Sequence, residues 1–120
     1  MPAGTVGTIY LLHYSKRTSR GHQHYLGWTE DPARRLRQHQ TGHGAEATKV
    51  AVAEGAKLLM AQTWIGTRSL EWQIKTWSRS RRAGFAGLCP KCGHGKTLPP
   101  ELEAALGPGS MRRIYFATAA

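Results

Sequence analysis

Residues 5–40 read TVGTIYLLHYSKRTSRGHQHYLGWTEDPARRLRQHQ, and the order of patterns inside that stretch decides the fold. Residues 5–14 are rich in β-branched, aromatic and aliphatic side chains, which suits a buried strand. Residues 15–23 break the run with Ser, Lys, Arg and Gly, and His24-Tyr25-Leu26-Gly27-Trp28 then supplies a second short strand. The polar stretch between them reads as a hairpin loop, so the two strands are expected to pair antiparallel. A helix start follows at once. Asp31 can accept hydrogen bonds from the orphan amides of a first turn, and Pro32 stands where no amide hydrogen is needed, which predicts a helix over residues 32–40.

Working outward, Thr41-Gly42-His43-Gly44 stops that helix, and residues 45–54 carry enough alanine for a second short helix ended by Gly55. Residues 57–65 (KLLMAQTWI) read as a third strand. Thr67 offers a cap, and Leu70, Ile74 and Trp77 recur at i, i+4 and i+7, so a helix over 68–81 has one apolar face to lay on the sheet. Residues 82–100 shift to Gly, Pro, Cys and Lys and predict a loop or tail. A short helix over 100–106 and a short strand over 113–118 complete the reading. The expected class is α+β, a small antiparallel sheet flanked by helices with an irregular basic C-terminal tail.

A chain of 120 residues and 13.2 kDa makes one domain and leaves room for a single site. With 17 Lys and Arg against 7 Asp and Glu, its formal charge is +10, a field that favours polyanions and equally suits a ribosomal or nucleoid protein. Apolar residues at 40% exclude disorder throughout. Cys89 and Cys92 are too close to staple a fold, which fits a reducing compartment. No apolar run approaches the roughly 18 residues of a membrane span, and the start of the chain lacks signal-peptide shape, so a soluble cytoplasmic protein is expected.

Three groups of residues invite chemistry. Between Gly55 and Pro100 the one carboxylate, Glu71, sits among eight cations. It reads either as an i,i+4 partner of Lys75 on a solvated helix face or as a ligand for Mg²⁺, which retains water and takes one or two protein carboxylates. Arg35 and His39 are four apart on one helix face, where a forked donor and a proton carrier suit a phosphodiester; the plainer alternative is a basic helix that binds backbone without catalysis. Tyr10 and Tyr25 fall on the two strands of the hairpin, as packing residues or as phenols whose pKa near about 10 the basic surroundings would have to lower.

Thr8-Ile9-Tyr10 on a first strand, Tyr25-Leu26-Gly27 on a second, then Arg35, His39 and later Glu71 on a helix resemble the GIY-YIG nuclease family. The resemblance runs from about residue 5 to residue 77 and implies a three-stranded antiparallel sheet flanked by helices, with one-metal hydrolysis of a phosphodiester bond. It divides the chain into a nuclease-like domain over 5–81 and a basic extension over 82–120 that packs on it or trails from it. By that resemblance Tyr10 is the general base or water-positioning phenol, and Tyr25 orients nucleophile and phosphate. Arg35 stabilises growing charge on phosphate, His39 assists proton transfer or holds the phosphate, and Glu71 binds Mg²⁺ or Mn²⁺. Three departures stand out. Thr8 replaces the first glycine of the signature, Leu26 replaces its central isoleucine, and the chain contains no Asn, whereas many members place a late asparagine at the site. Gln62, Gln73 or a hydroxyl are the available substitutes.

Other motifs are set aside. Cys89-Pro90-Lys91-Cys92 is half of a zinc knuckle. His94 is tight for a third ligand, and a fourth would have to come from His43, His22 or another subunit, so two free thiols in a Gly-rich loop are the favoured reading. Gly93-His94-Gly95-Lys96-Thr97 ends like a phosphate loop, but Pro90 occupies the first glycine position. His22, His24 and His43 are read as bystanders. Trp64 and Trp77 are read as core, leaving Trp72 as the base-stacking candidate. The sequence thus points to a metal-dependent endonuclease acting on DNA. The rivals are a nucleic-acid-binding module that keeps the fold and the basic face without catalysis, and a zinc-stabilised adaptor in which the Cys pair matters more than the cluster.

Overall fold

The computed structural model describes residues 4–92 and 97–108. Its sheet is built around β1 (Val6–Tyr14), which lies between β2 (His24–Thr29) and β3 (Leu58–Thr67) and pairs antiparallel with both. A middle strand covered on both faces needs apolar side chains at successive positions, and for that reason the run Ile9-Tyr10-Leu11-Leu12 shows no alternation. Tyr10, Leu12 and Tyr14 point to one face, where they pack with Leu36, Ala51 and Met60. Ile9 and Leu11 point to the other and meet Leu26, Trp28, Trp64, Leu70 and Ile74.

The first face is roofed by α1 (Pro32–Gln40) and α2 (Glu46–Ala53). The Asp31 side chain accepts from the Arg34 amide at 3.1 Å and Pro32 opens the first turn, as the sequence predicts. Both helices stop where a glycine adopts a left-handed backbone, Gly42 at φ 79° and Gly55 at φ 87°. The second face is covered by α3 (Arg68–Arg79), capped by Thr67, whose hydroxyl accepts from the Leu70 amide at 3.1 Å.

Three elements differ from expectation by two residues or more: the helix predicted over 100–106 is confined to Pro100–Glu103, and the ends of β3 and α3 move as well. β3 continues to Thr67 because Gly66 and Thr67 still pair with Gly7 and Val6, so strand passes into helix with no loop between. Helix α3 ends at Arg79, two residues early. The stretch after residue 82 is irregular as predicted, but it is not unstructured. Short 3-10 turns at Gly84–Leu88 and Pro90–Cys92 and the one-turn helix α4 (Pro100–Glu103) bury Leu88, Cys89, Leu98 and Leu102 in the α3-side core. Leu98 and Leu102 keep a helical i, i+4 spacing and α4 falls inside the helix predicted over 100–106, whereas Leu88 and Cys89 follow no period. The predicted strand over 113–118 lies outside the described residues.

Candidate active site

The hairpin and α1 bring three rings together. Tyr10 and Tyr25 lie on the same face because Tyr25 stands opposite Leu12. Their ring centres are 6.3 Å apart, and the His39 ring is 5.7 Å from Tyr10 and 5.3 Å from Tyr25. Two glycines make the approach possible. A Cβ on Gly27 would overlap the Tyr10 hydroxyl, and one on Gly44 would overlap His39 Nδ1. The final glycine of Tyr25-Leu26-Gly27 is therefore a space requirement for the neighbouring phenol.

His39 is fully buried (0% exposed), and both of its ring nitrogens are engaged. Nε2 lies 2.7 Å from the Tyr10 hydroxyl and Nδ1 lies 2.7 Å from Thr48 Oγ1. The Thr48 hydroxyl donates its hydrogen to the Ala45 carbonyl at 2.8 Å, so toward His39 it can only accept. His39 must then carry its hydrogen on Nδ1, and the bare Nε2 accepts from Tyr10. The order Tyr10 to His39 to Thr48 to the Ala45 carbonyl fixes every proton in the chain. Thr48 was not singled out from the sequence; a hydroxyl one helix away from His39 carries no local signal.

Burial sets the protonation states. Desolvation, reinforced by the Arg35 charge, holds His39 neutral, with a pKa lowered to about 4. Tyr10, 1% exposed, is pushed up to about 12 by burial, against an Arg35 hydrogen bond that favours the phenolate. Tyr25 is raised by burial as well, with Arg35 opposing. The expected lowering of the phenols by their basic surroundings is thus outweighed by desolvation, and both are neutral at rest. Arg35 is half-buried at the edge of the cluster and donates to Gln38 Oε1 at 3.0 Å.

Glu71 comes from α3, which packs on the opposite face of the sheet, yet its charge acts on both Tyr10 and Tyr25. It is 9% exposed, and burial raises its pKa against the pull of Lys75, Arg68 and Arg79. The i,i+4 pair with Lys75 exists but is loose, 3.9 Å, and no hydrogen bond reaches the carboxylate among the described residues. A sheltered carboxylate with spare lone pairs suits a hard divalent cation that completes its shell with water and phosphate oxygens. Of the suggested amide substitutes, Gln73 is exposed on α3, and Gln62 lies on β3, where its side chain accepts from the Thr63 amide at 3.2 Å. Neither joins the cluster; the amide beside it is Gln38.

Tyr25 also stands in the wall of a cleft of about 640 Å³, lined with Arg17, His22, Lys75, Arg79 and Arg82. The +10 charge is therefore concentrated in part on a concave surface adjoining the rings. Trp72, 65% exposed, follows Glu71 on α3, whereas Trp64 is buried in the core. Among the described residues, no helix is long and apolar enough to cross a membrane.

Outside this cluster the structure brings together four residues that the sequence left apart or set aside. His13, His24, Cys89 and Cys92 converge on the opposite face of the sheet, in an arrangement that could hold a metal ion. His94 lies outside the described residues. Beside the two cysteines stand neither His43 nor His22 but a cross-strand pair of the hairpin, His13 opposite His24. The sequence reads His24 as a bystander and places His13 inside a buried strand.

The sheet order, the hairpin tyrosines and the helix pair define a nuclease-type α+β domain, and the sequence comparison agrees: the GIY-YIG catalytic domain matches residues 6–84, and the chain belongs to that family of nucleases. Among known proteins it is similar to a UPF0213 protein of Aeromonas salmonicida (strain A449), 37% identical over 83 residues. That match covers 66% of this chain and 54% of the relative, so it spans about half the relative's length. No solved structure gives a significant match.

Proposed function

We propose that the protein is a metal-dependent endonuclease that hydrolyses phosphodiester bonds in DNA, with Tyr10, Tyr25, Arg35, His39 and Glu71 as its working residues. The observation that carries this reading is the directed chain from the Tyr10 hydroxyl through His39 to Thr48, set beside a sheltered carboxylate and a basic cleft.

In this reading Arg35 leaves the Tyr10 hydroxyl to grip a phosphate oxygen, which uncovers the phenol and places a fork of donors where charge grows. A water molecule then loses a proton to the Tyr10 oxygen while Tyr10 passes its own proton to His39 Nε2. The water oxygen bonds to phosphorus as the bond to the leaving oxygen breaks. His39 is a weak base at rest because burial, reinforced by the Arg35 charge, disfavours its cation; an anionic phosphodiester drawn in beside Arg35 offsets the Arg35 part of that penalty and raises its proton affinity. Tyr25 orients the phosphate at the mouth of the cleft. A divalent cation on Glu71 would supply Lewis-acid polarisation of the phosphate and charge for the leaving oxygen.

Plasmid DNA incubated with the purified protein and Mg²⁺ or Mn²⁺ tests this. Nicking is expected from the wild type and is expected to vanish in Glu71→Ala, with DNA binding retained. Cleavage that persists unchanged in Glu71→Ala would defeat the metal assignment, and binding without any cleavage by the wild type would favour the non-catalytic module.

A further inference from the structure

We propose that His13, His24, Cys89 and Cys92 form a closed, mononuclear zinc site that fastens the segment after α3 to the end of the β1–β2 hairpin. Its four donor atoms lie within 4.8 Å of one another. His13 Nδ1 is 3.4 Å from His24 Nε2, 3.4 Å from Cys89 Sγ and 3.7 Å from Cys92 Sγ, and His24 Nε2 is 3.4 Å from Cys92 Sγ.

A hydrogen-bond reading of these contacts fails on valence. One imidazole nitrogen has either one hydrogen or one in-plane lone pair, and here a single Nδ1 faces three heavy atoms at once. A common centre explains the pattern. With metal–nitrogen bonds of about 2.05 Å and metal–sulfur bonds of about 2.3 Å, a tetrahedron has N···N edges of about 3.35 Å and N···S edges of about 3.55 Å. The N···N separation of 3.4 Å agrees with the first value, and the three N···S separations of 3.4, 3.7 and 3.4 Å bracket the second.

Ligand chemistry selects the ion. Two thiolates and two imidazoles in tetrahedral array suit zinc, whereas Mg²⁺ and Ca²⁺ demand oxygen. A two-iron cluster would hold its cysteines on one iron and its histidines on the other, but here His13 touches both sulfurs. Four protein ligands leave no open position, which makes the site structural. Loading displaces the two thiol protons, so the assembled centre of one Zn²⁺, two thiolates and two neutral imidazoles carries no net charge and can sit inside a strongly basic protein.

The position explains the need. The Cys-x-x-Cys turn, Pro90–Cys92, belongs to a segment held by scattered apolar residues with little regular structure, while His13 and His24 belong to a rigid cross-strand pair. A metal cross-link over that junction supplies the fixation that secondary structure does not.

The test uses full-length protein purified under reducing conditions without added metal or chelator. Elemental analysis and native mass spectrometry are expected to find one zinc per chain. Metal-stripped protein titrated with Co²⁺ is expected to show thiolate-to-cobalt charge transfer and the intense visible bands of tetrahedral cobalt. Cys92→Ser and His13→Ala are each expected to weaken zinc binding at least about tenfold. The proposal is overturned if the wild type neither contains nor takes up zinc, if its cobalt spectrum is weak and octahedral, or if both variants retain zinc as the wild type does. The wild-type readouts stand even if a variant misfolds. None of them measures cleavage, so they are independent of the nuclease reading.

Discussion

The β1–β2 hairpin feeds two chemical centres from residues one position apart. Leu12 pairs with Tyr25 on the face roofed by α1 and α2, and the next pair, His13 with His24, faces the 3-10 turns on the other side. The first centre is an aromatic cluster whose protons are ordered by a threonine and whose solvent edge is arginine and glutamate. The second is a sulfur and nitrogen quartet in which Cys89 is buried, the other three residues are half-buried, and the donors could hold a metal ion. Strand alternation points successive side chains to opposite faces, although His24 and Tyr25 both reach the same cleft. An aromatic cluster and a group that could hold a metal ion thus share a single hairpin.

That separation can be broken experimentally. The largest expected effect is that of Tyr10→Phe, which removes the hydroxyl bonded to His39 and should lower cleavage by about 10²- to 10⁴-fold. Zinc content should be unchanged, and a variant that lost its zinc as well would show the two centres to be coupled through the strand.

A second test concerns pH. Folding lowers the proton affinity of His39 from a pKa of 6.5 to about 4, so the unfolded chain binds the extra proton between those values. The stability this contributes is fully present above pH 6.5 and is lost as pH falls through about 4. Between pH 7.5 and 5, urea unfolding should show the wild type losing about 2 kcal/mol more than a His39→Gln protein. Equal losses would mean that His39 is not held neutral by its surroundings.

The smallest effect is expected of Thr48→Val, which keeps the shape but removes the acceptor that places the hydrogen of His39 on Nδ1. Stability should fall by about 1 kcal/mol. Cleavage should fall about tenfold, equivalent to about 1.4 kcal/mol in the barrier. Nitrogen-15 chemical shifts of the His39 ring report the tautomer directly, and an unchanged tautomer in the variant would remove Thr48 from the chain.

Much of the fold was legible because its signals are local. Asp31 and Pro32 start α1, glycines at positive φ end α1 and α2, and the stripe Leu70, Ile74, Trp77 marks the buried side of α3. Each depends on neighbours within a turn or two. The 3-10 turns from Gly84 to Cys92 were harder to read because their buried residues, Leu88 and Cys89, meet partners far away in sequence and obey no period. The candidate active site was similarly half visible. Spacing put Arg35 and His39 on one helix, but it could not show that His39 is sealed from solvent between Tyr10 and Thr48, nor that Gly27 is a glycine because the Tyr10 ring lies against it.

By itself, then, the sequence determined the hairpin and helix order, the basic character and the family pattern of Tyr10, Tyr25, Arg35, His39 and Glu71. Only the tertiary structure decided which way the protons of His39 point, that burial outweighs positive charge at the two tyrosines, and that Cys89 meets His13 across 76 residues of chain. The physical reason is range. Caps, periods and turns act between neighbours in the chain, whereas desolvation and ligand geometry depend on what the folded chain places within a few ångströms.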